Sequence, residues 1–200
     1  MLVTDDRLLA GRDVVSLALA AEAGGADAAQ LRLKNAPARE QAALTRAMVA
    51  ALRIPVLVND RLDVAIAAGA AGVHLGADDL PVTLARRIAP PGFLIGASVG
   101  SDAEAMTAGD ADYWGIGPWR VTGTKPDAGA GLGEAGFARL ARLARGRPCL
   151  AIGGVQPTDV PLVRRAGGSG VAVVSGILDD PDVRRSTARY AAAWALGGSS

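Results

Sequence analysis

Short runs of β-branched and other apolar residues alternate along the chain with longer stretches in which apolar residues recur at helical spacing. The short runs fall at about 2–4, 27–33, 55–58, 71–75, 93–97, 111–116, 148–152 and 169–174. Each run is bounded by Gly, Pro or polar residues, as is typical of a β-strand. The pattern therefore predicts eight strands.

The stretches between the runs predict amphipathic helices. They cover Val14 to Ala23, Ala38 to Leu52, Leu62 to Ala68, Val82 to Ile88, Ala103 to Ala108, Phe137 to Arg145, Thr158 to Arg165 and Val183 to Ala195. Eight strand–helix units in 200 residues predict an α/β fold, a (β/α)₈ TIM barrel, with residues 1–200 as a single domain. A doubly wound sheet also alternates strand and helix, so periodicity alone leaves both architectures open.

Polar residues are concentrated directly after seven of the eight predicted strands. They are Gln30 to Lys34, Asn59 to Arg61, Gly76 to Asp79, Ser98, Thr122 to Lys125, Gly153 with Gly154, and Ser175 with Gly176. An open sheet gathers ligand contacts mainly at its switch point, whereas a barrel collects the ends of nearly all strands into one ring. The distribution favours a barrel with one site at its C-terminal face.

Composition narrows the function classes. The net charge is +1, half of the residues are hydrophobic, and the mean hydropathy is +0.25. There is no basic run that would make a nucleic-acid footprint and no stretch of about 18 apolar residues that would span a membrane. The first residues lack the basic and apolar regions of a signal peptide, so we expect a cytoplasmic location. The oligomeric state, including a homo-oligomer, stays open.

Two residue types that often carry catalysis occur once each. Cys149 lies in an apolar run and is expected to be a buried thiol, so a disulfide framework is excluded. His74 is predicted inside a strand, where a structural role is favoured over catalysis. A Ser/His/Asp triad and a Cys/His metal site are not expected from one His and one Cys.

Only two of the 21 basic residues are lysines, Lys34 and Lys125. Each closes a polar cluster at the end of a predicted strand. A compact ammonium with three donors suits phosphate oxygens, so both lysines are candidate phosphate ligands. The alternative is a compositional bias towards arginine that left two lysines on solvated faces.

Asp60 and Asp79 follow adjacent predicted strands and should lie near each other in a barrel. Two hard carboxylates beside a phosphate site suit Mg²⁺, which commonly binds one or two protein carboxylates, phosphate and water. The alternative is helix capping: Asp60 before Arg61, and Asp78 or Asp79 before Leu80.

Glycine-rich segments suggest where a phosphate binds. Thr122, Thr124 and Lys125 lie in a long Gly-rich connection after the sixth strand, which is a candidate anion cradle and lid, or else a flexible surface loop. Gly153 with Gly154, and Ser175 with Gly176, end the seventh and eighth strands, where barrels frequently bind phosphate through backbone N–H groups. Together they predict a phosphate monoester ligand.

Six motifs, in order over nearly the whole chain, resemble the thiamine phosphate synthase family. They are Gln30 to Lys34, Val58 to Arg61, Gly72 to Gly76 with Asp79, Asp112 to Pro118, Thr122 to Lys125 and Ala151 to Val155. The resemblance implies a (β/α)₈ barrel that joins hydroxymethylpyrimidine diphosphate to a thiazole phosphate, releasing diphosphate and forming thiamine phosphate.

The resemblance also implies roles for individual residues. It implies Mg²⁺ ligands at Asp60 and Asp79, and catalytic roles for Arg32, Ser98 and Lys125. The implied ligands of the pyrimidine diphosphate are Gln30, Arg32, Lys34, Asn59, Ser98 and Lys125. Those of the thiazole phosphate are Thr122, Thr124, Gly154, Val174 and Ser175.

Three positions depart from the family pattern. Ala77 stands where the family usually has Gln, Gly100 where it usually has His, and Arg120 in a stretch that is usually aromatic. All three are expected at the pyrimidine end of the pocket. Two other readings stay open, a thiazole tautomerase of the same superfamily and a non-catalytic thiamine phosphate binding protein. Asp60, Asp79 and the intact Thr122–Lys125 motif speak against a tautomerase, which has no diphosphate to hold.

Overall fold

The computed structural model describes residues 1–9, 11–121 and 131–196. Its strands are β1 (Leu2–Val3), β2 (Ala29–Leu31), β3 (Val56–Asn59), β4 (Gly72–Leu75), β5 (Leu94–Val99), β6 (Tyr113–Ile116), β7 (Cys149–Ile152) and β8 (Gly170–Ala172). Each of these strands lies within, or within one or two residues of, a predicted run. All neighbours in sequence pair in parallel.

The sheet curls so that its first and last strands meet. Leu2 forms a parallel bridge with Val173. The Val3 N–H donates to the Val173 carbonyl at 2.9 Å, and the Val173 N–H donates to the Met1 carbonyl at 3.0 Å. The predicted (β/α)₈ barrel is confirmed, and the doubly wound alternative is wrong.

Helices fill the connections on the outside of the barrel. They are α1 (Asp6–Leu9), α2 (Val14–Ala23), α3 (Ala38–Ala51), α4 (Leu62–Ala68), α5 (Val82–Ile88), α6 (Asp102–Thr107), α7 (Gly133–Leu143), α8 (Val160–Arg165), α9 (Ser175–Leu178) and α10 (Val183–Leu196). Every predicted helix has a counterpart here, and α2, α4 and α5 have the predicted bounds. The short helices α1 and α9 were not predicted, because four residues carry too little periodicity to detect.

Two helix starts differ from the prediction by more than one residue. Helix α7 begins at Gly133 rather than Phe137, and its first turn contains Gly133 and Gly136, residues with low helix propensity. Before α8, Pro157–Asp159 forms a 3₁₀ turn, and α8 itself begins at Val160. Pro161 lacks an N–H and is tolerated in this first turn. Gly69 ends α4 in the left-handed conformation, with φ of 72°.

Alternating strand residues fill two separate spaces. Leu31, Val58 and Ile95 are buried in the apolar layer between strands and helices. The alternate residues of each strand point to the barrel interior, where Gln30, Leu57 and His74 are also buried.

Cys149 is buried as expected, and burial raises the pKa of its thiol to about 11. Within the described ranges, no helix is long and apolar enough to cross a membrane.

Candidate active site

The C-terminal ends of the strands surround a cavity of about 580 Å³, called the C-terminal cavity below. Every predicted site residue in the described ranges lines it. These residues are Gln30, Arg32, Lys34, Asn59, Asp60, Asp79, Ser98, Gly154, Val174 and Ser175. Thr122, Thr124 and Lys125 lie outside the described residues, as does most of the candidate lid. The first seven residues, on the β2–β5 side, are termed the side-chain wall.

Arg32 is held by a residue that the sequence reasoning missed. Its guanidinium donates to the Asp5 carboxylate at 2.7 Å, and Asp5 is buried just after β1. The Arg32 backbone N–H also donates to the Thr4 hydroxyl at 2.8 Å. Thr4 and Asp5 form a polar pair directly after β1, and this pair was the available signal. It completes the ring of polar residues, since β1 is the one strand for which no such residues were noted. Asp5 thus fixes one cation at the edge of the cavity.

Three further polar residues complete the cavity edge around Arg32, namely Gln30, Asn59 and Lys34. Gln30 lies on the inner face of β2 and is buried. Asn59 ends β3 and is half-buried, whereas Lys34 is exposed beyond the end of β2. An amide can orient a polar ligand, and an exposed ammonium can turn towards an anion.

Asp60 and Asp79 lie together, as predicted. Asp60 adopts a left-handed φ of 64°, and its N–H donates to the His74 carbonyl at 2.8 Å. Burial, a hydrogen bond with the Asp79 carboxyl and repulsion from its charge raise the pKa of Asp60 to about 6. The positive charges of Lys34 and Arg32 act in the opposite direction. Two carboxylates in contact create a negative site that a cation would relieve.

The capping alternatives are wrong for both carboxylates. Helix α4 begins after Arg61 without a side-chain cap, so Asp60 is not its N-cap. Asp79 accepts the Gly76 N–H at 2.6 Å and closes the turn after β4, and α5 has no side-chain cap either. Asp78 is exposed at the cavity edge.

Ser98 belongs to a hydrogen-bonded chain inside the barrel. Its Oγ lies 3.0 Å from His74 Nε2, and His74 Nδ1 lies 3.0 Å from the Tyr113 Oη. His74 is buried and lines the C-terminal cavity. The predicted strand position of His74 is confirmed, but the residue also contacts a site residue, which the sequence reasoning did not anticipate.

The opposite side of the cavity is formed by main chain, and residues 153–155 and 174–176 are termed the backbone wall. Gly153 and Gly154 have φ of 91° and 67°, in the left-handed region. A Cβ on Gly153 would lie 2.8 Å from Pro118 Cα, so only glycine fits. Helix α9 begins at Ser175, and the first N–H groups of a helix lack partners within it. The wall thus offers backbone donors rather than charges.

Helix α10 holds the backbone wall in place. The Tyr190 hydroxyl donates to the Val155 carbonyl at 3.0 Å, and the Ser186 hydroxyl donates to the Gly176 carbonyl at 2.7 Å. A Cβ on Gly176 would lie 2.1 Å from Tyr190 Oη, so glycine is needed for this contact. These supports were missed, because nothing in a helical pattern marks which polar residue will bind a distant loop.

Arg120 has a different place from the one expected. It does not line the C-terminal cavity; its guanidinium pairs with the buried Asp159 carboxylate and donates to the Gly154 carbonyl at 3.0 Å. The Arg120 N–H also donates to the Gly153 carbonyl at 2.9 Å. Arg120 therefore supports the backbone wall from outside and does not line the pocket, where it was expected.

The other two departures lie at the cavity. Ala77 is exposed on its edge. The Gly100 N–H donates to the Glu104 carboxylate, and a Cβ on Gly100 would lie 2.8 Å from the Gly117 carbonyl oxygen. A histidine at position 100 would require the strand ends to separate. Glycine at position 100 permits this close approach of the chain segments that follow β5 and β6.

The donor set of the cavity is compatible with a hard cation. Among the described residues no group of three or more His, Cys, Asp or Glu could hold a metal by itself. Asp60 and Asp79 supply only two carboxylates, beside cationic side chains that could hold an anion. This set fits Mg²⁺, which usually completes its coordination with substrate phosphate and water.

Comparison with known proteins places this chain in a family. The thiamine monophosphate synthase family matches residues 1–177. The chain is 50% identical to a thiamine-phosphate synthase of Methanoculleus marisnigri, over 98% of this chain and 96% of that protein. It is 46% identical to a thiamine-phosphate synthase of Azorhizobium caulinodans, over 91% and 88% of the two chains.

Solved structures agree. A thiamine phosphate pyrophosphorylase from Pyrococcus furiosus has a TM-score of 0.87 and 34% identity, covering 99% of this chain and 96% of that one. A 3-hexulose-6-phosphate synthase, with a TM-score of 0.69 and 18% identity, shares the fold alone. The chain belongs to the thiamine monophosphate synthase family.

Proposed function

We propose that the C-terminal cavity joins hydroxymethylpyrimidine diphosphate to a thiazole phosphate, giving thiamine phosphate and diphosphate. The observation that carries this proposal is the division of one cavity into a charged side-chain wall and a glycine-rich backbone wall. Such a cavity can hold two different phosphorylated ligands at once. The relatives named thiamine-phosphate synthase support the same activity.

The side-chain wall is the proposed diphosphate site. Arg32 and Lys34 bring two positive charges to one edge of the cavity, and the buried Asp5 keeps the Arg32 guanidinium in place. Gln30, Asn59 and Ser98 add neutral polar groups that could orient the pyrimidine and the diphosphate. The cluster has the charge and the donors that a diphosphate needs.

Asp60 and Asp79 are the proposed ligands of Mg²⁺. Burial and the neighbouring Asp79 carboxylate raise the pKa of Asp60, and binding of a divalent cation would stabilise both carboxylates in the ionised form. When bound, Mg²⁺ would offset the negative charge of the diphosphate group. Arg32 and Lys34 would share that task from the adjacent strand.

The backbone wall is the proposed thiazole phosphate site. Gly154, Val174 and Ser175 lie at the ends of β7 and β8, where backbone N–H groups can bind a phosphate. The family resemblance adds Thr122 and Thr124 to this site, and Lys125 to the diphosphate site. Lys125→Arg keeps the charge but not the compact ammonium. It should lower the rate if close phosphate contact matters, and an unchanged rate would contradict that role.

The reaction makes modest demands on acid–base chemistry. The bond between the pyrimidine methylene carbon and the diphosphate oxygen breaks, and the thiazole nitrogen supplies the electron pair of the new C–N bond. Because the aminopyrimidine can stabilise positive charge at that carbon, the side-chain wall mainly has to stabilise the departing diphosphate. The two walls also hold the reactants in line, which removes much of the entropic cost.

One assay separates this function from its two rivals. Purified protein is incubated with both substrates and Mg²⁺, and diphosphate and thiamine phosphate are measured together. Equal amounts of both products are expected. Binding of the phosphorylated ligands without any product would contradict the synthase proposal and favour a binding protein. Conversion of a thiazole phosphate tautomer without coupling would favour a tautomerase.

The wider setting follows from the proposed chemistry. Small-molecule substrates are the expected partners. A cytoplasmic location, the absence of nucleic-acid partners and the oligomeric state stay predictions from the sequence.

A further inference from the structure

The barrel interior below Ser98 contains polar side chains that the proposed reaction has not yet used. Tyr113 on β6 and His74 on β4 form a continuous chain with Ser98 on β5, with 3.0 Å between hydrogen-bonding atoms at each step. Tyr113 and His74 are both buried. A buried polar chain is costly unless its members satisfy one another, so its presence at the floor of the cavity calls for a function.

The sequence makes room for this chain with two inward-facing glycines. A Cβ on Gly96 would lie 2.1 Å from Tyr113 Cζ, and one on Gly115 would lie 3.0 Å from His74 Cε1. A barrel interior is ordinarily filled by branched apolar side chains. Here, two positions are glycine, and the space this leaves allows a phenol and an imidazole to lie beside each other.

The hydrogen-bond direction can be followed from one end. Burial raises the pKa of Tyr113, so its hydroxyl keeps its proton, while a hydrogen bond from the Gln30 side chain acts in the opposite direction. The Tyr113 hydroxyl therefore has one proton to donate, and we assign it to His74 Nδ1, which lies 3.0 Å from Tyr113 Oη. His74 then carries its proton on Nε2 and donates it to Ser98 Oγ. The Ser98 hydroxyl proton is left to point into the cavity.

We propose that Tyr113 and His74 are positioning residues that fix Ser98 Oγ as a hydrogen-bond donor towards the diphosphate of the pyrimidine substrate. The inference rests on the proposed function, since Ser98 is assigned there to the diphosphate ligand. Neither Tyr113 nor His74 needs to touch the substrate. Because His74 donates to Ser98 Oγ, the Ser98 hydroxyl proton stays directed at the cavity. This direction matters because the diphosphate is an anion that only accepts hydrogen bonds.

The chain offers a direct test because His74 is its only histidine. Protein without an affinity tag, labelled with ¹⁵N-histidine, gives one imidazole whose two nitrogens report which one is protonated. The Nε2-protonated neutral form is expected in the free protein. Tyr113→Phe removes the donor to Nδ1 and should shift that preference. An Nδ1-protonated wild type, or an unchanged spectrum in the variant, would overturn the proposed direction.

Steady-state kinetics provide a second, independent test. Tyr113→Phe should lower kcat/KM for the pyrimidine diphosphate by about threefold to tenfold, the worth of one hydrogen bond, and leave KM for the thiazole phosphate within about twofold. In a Ser98→Ala background the same change should add little, because the two residues act as a unit. Equal loss for both substrates, or full additivity, would leave Tyr113 a packing residue and contradict the inference.

Tyr190→Phe is the matched control, since Tyr113 and Tyr190 are the chain's two tyrosines. It removes the hydroxyl that bonds the Val155 carbonyl and should leave the His74 spectrum unchanged. The spectrum of the free protein needs no turnover. Failure of wild-type coupling would therefore count against the proposed function, whereas a wrong tautomer with normal coupling would count only against this inference.

Discussion

The two walls of the C-terminal cavity face each other but are built from different parts of the chain. The side-chain wall relies on ionised and polar side chains, such as Arg32 and Asp60, that project from the ends of β2–β5. The backbone wall relies on main chain around Gly153 and Ser175, with left-handed glycines and a short helix. One wall therefore depends on which side chains are present, and the other depends on which are absent.

The supports of the two walls differ in the same way. An ion pair with Asp5 fixes Arg32 in the side-chain wall. Hydroxyl groups of α10 bind carbonyl groups of the backbone wall, at Val155 and Gly176. Removing a charge should damage the first wall, whereas adding a Cβ should damage the second.

The largest effect is expected from Asp60→Asn. The substitution removes one of two carboxylates proposed to bind Mg²⁺, so the coupling rate should fall well over tenfold and more Mg²⁺ should be needed for half-maximal rate. Initial rates over a Mg²⁺ titration measure both. Asp63→Asn is the control, because that carboxylate is exposed and pairs with Arg61 on the surface. Wild-type turnover in Asp60→Asn would contradict metal binding there.

The next effect is expected from Gly153→Ala. The new Cβ would meet Pro118 at 2.8 Å on a backbone with φ of 91°, so the wall must shift. We expect KM for the thiazole phosphate to rise about tenfold and KM for the pyrimidine diphosphate to change less. Strain should also lower the free energy of unfolding by about 1–3 kcal/mol.

Gly92→Ala is matched to Gly153→Ala in backbone strain. Gly92 has φ of 78°, and a Cβ there would meet no atom within 4 Å. This control should lose some stability and keep both KM values. If Gly153→Ala changed only stability, the backbone wall would not be the thiazole phosphate site.

A smaller effect is expected from Arg120→Gln. The Asp159 side chain is 3% exposed and the Arg120 side chain 49%, so the pair is only partly screened by solvent. Loss of the partner should lower the free energy of unfolding by about 1–3 kcal/mol, measured by urea denaturation. Arg61→Gln, which breaks the exposed pair with Asp63, should change it by about 0.5 kcal/mol or less.

The Arg120→Gln effect should depend on pH in a defined direction. Burial would raise the pKa of Asp159, but hydrogen bonds from Arg120 and the Gln156 N–H, together with the Arg120 charge, hold it below its usual value. A carboxyl with a depressed pKa stabilises the fold above its unfolded pKa of about 4, and the benefit is lost on acidification. The stability difference should be full at neutral pH and shrink below about pH 4. A constant difference would contradict the ion-pair explanation.

The sequence predicted two kinds of feature, the order of the elements, which follows from periodicity, and the site residues that come next to strands. The order of strands and helices follows from alternating patterns, and Lys34, Asp60 and Ser98 could be placed because each follows a predicted strand within two residues. The resemblance then supplied ligands that spacing alone leaves open.

Contacts between distant segments could not be predicted in the same way. The pairing of Asp5 with Arg32, and of Arg120 with Asp159, joins residues 27 and 39 positions apart. Which partner each finds depends on the closure of the barrel, and no local pattern encodes that. For the same reason Arg120 was expected to line the pocket, which it does not.

The central claim is that the C-terminal cavity binds two anions at once, one on each wall. Equilibrium titration of the unmodified protein with the thiazole phosphate tests it directly, in Mg²⁺ with and without saturating inorganic diphosphate. Simultaneous binding is expected, with the Kd of the thiazole phosphate changed by no more than about twofold, or under about 0.5 kcal/mol. Competition, in which the apparent Kd rises in proportion to the diphosphate concentration, would show one shared site and contradict the account.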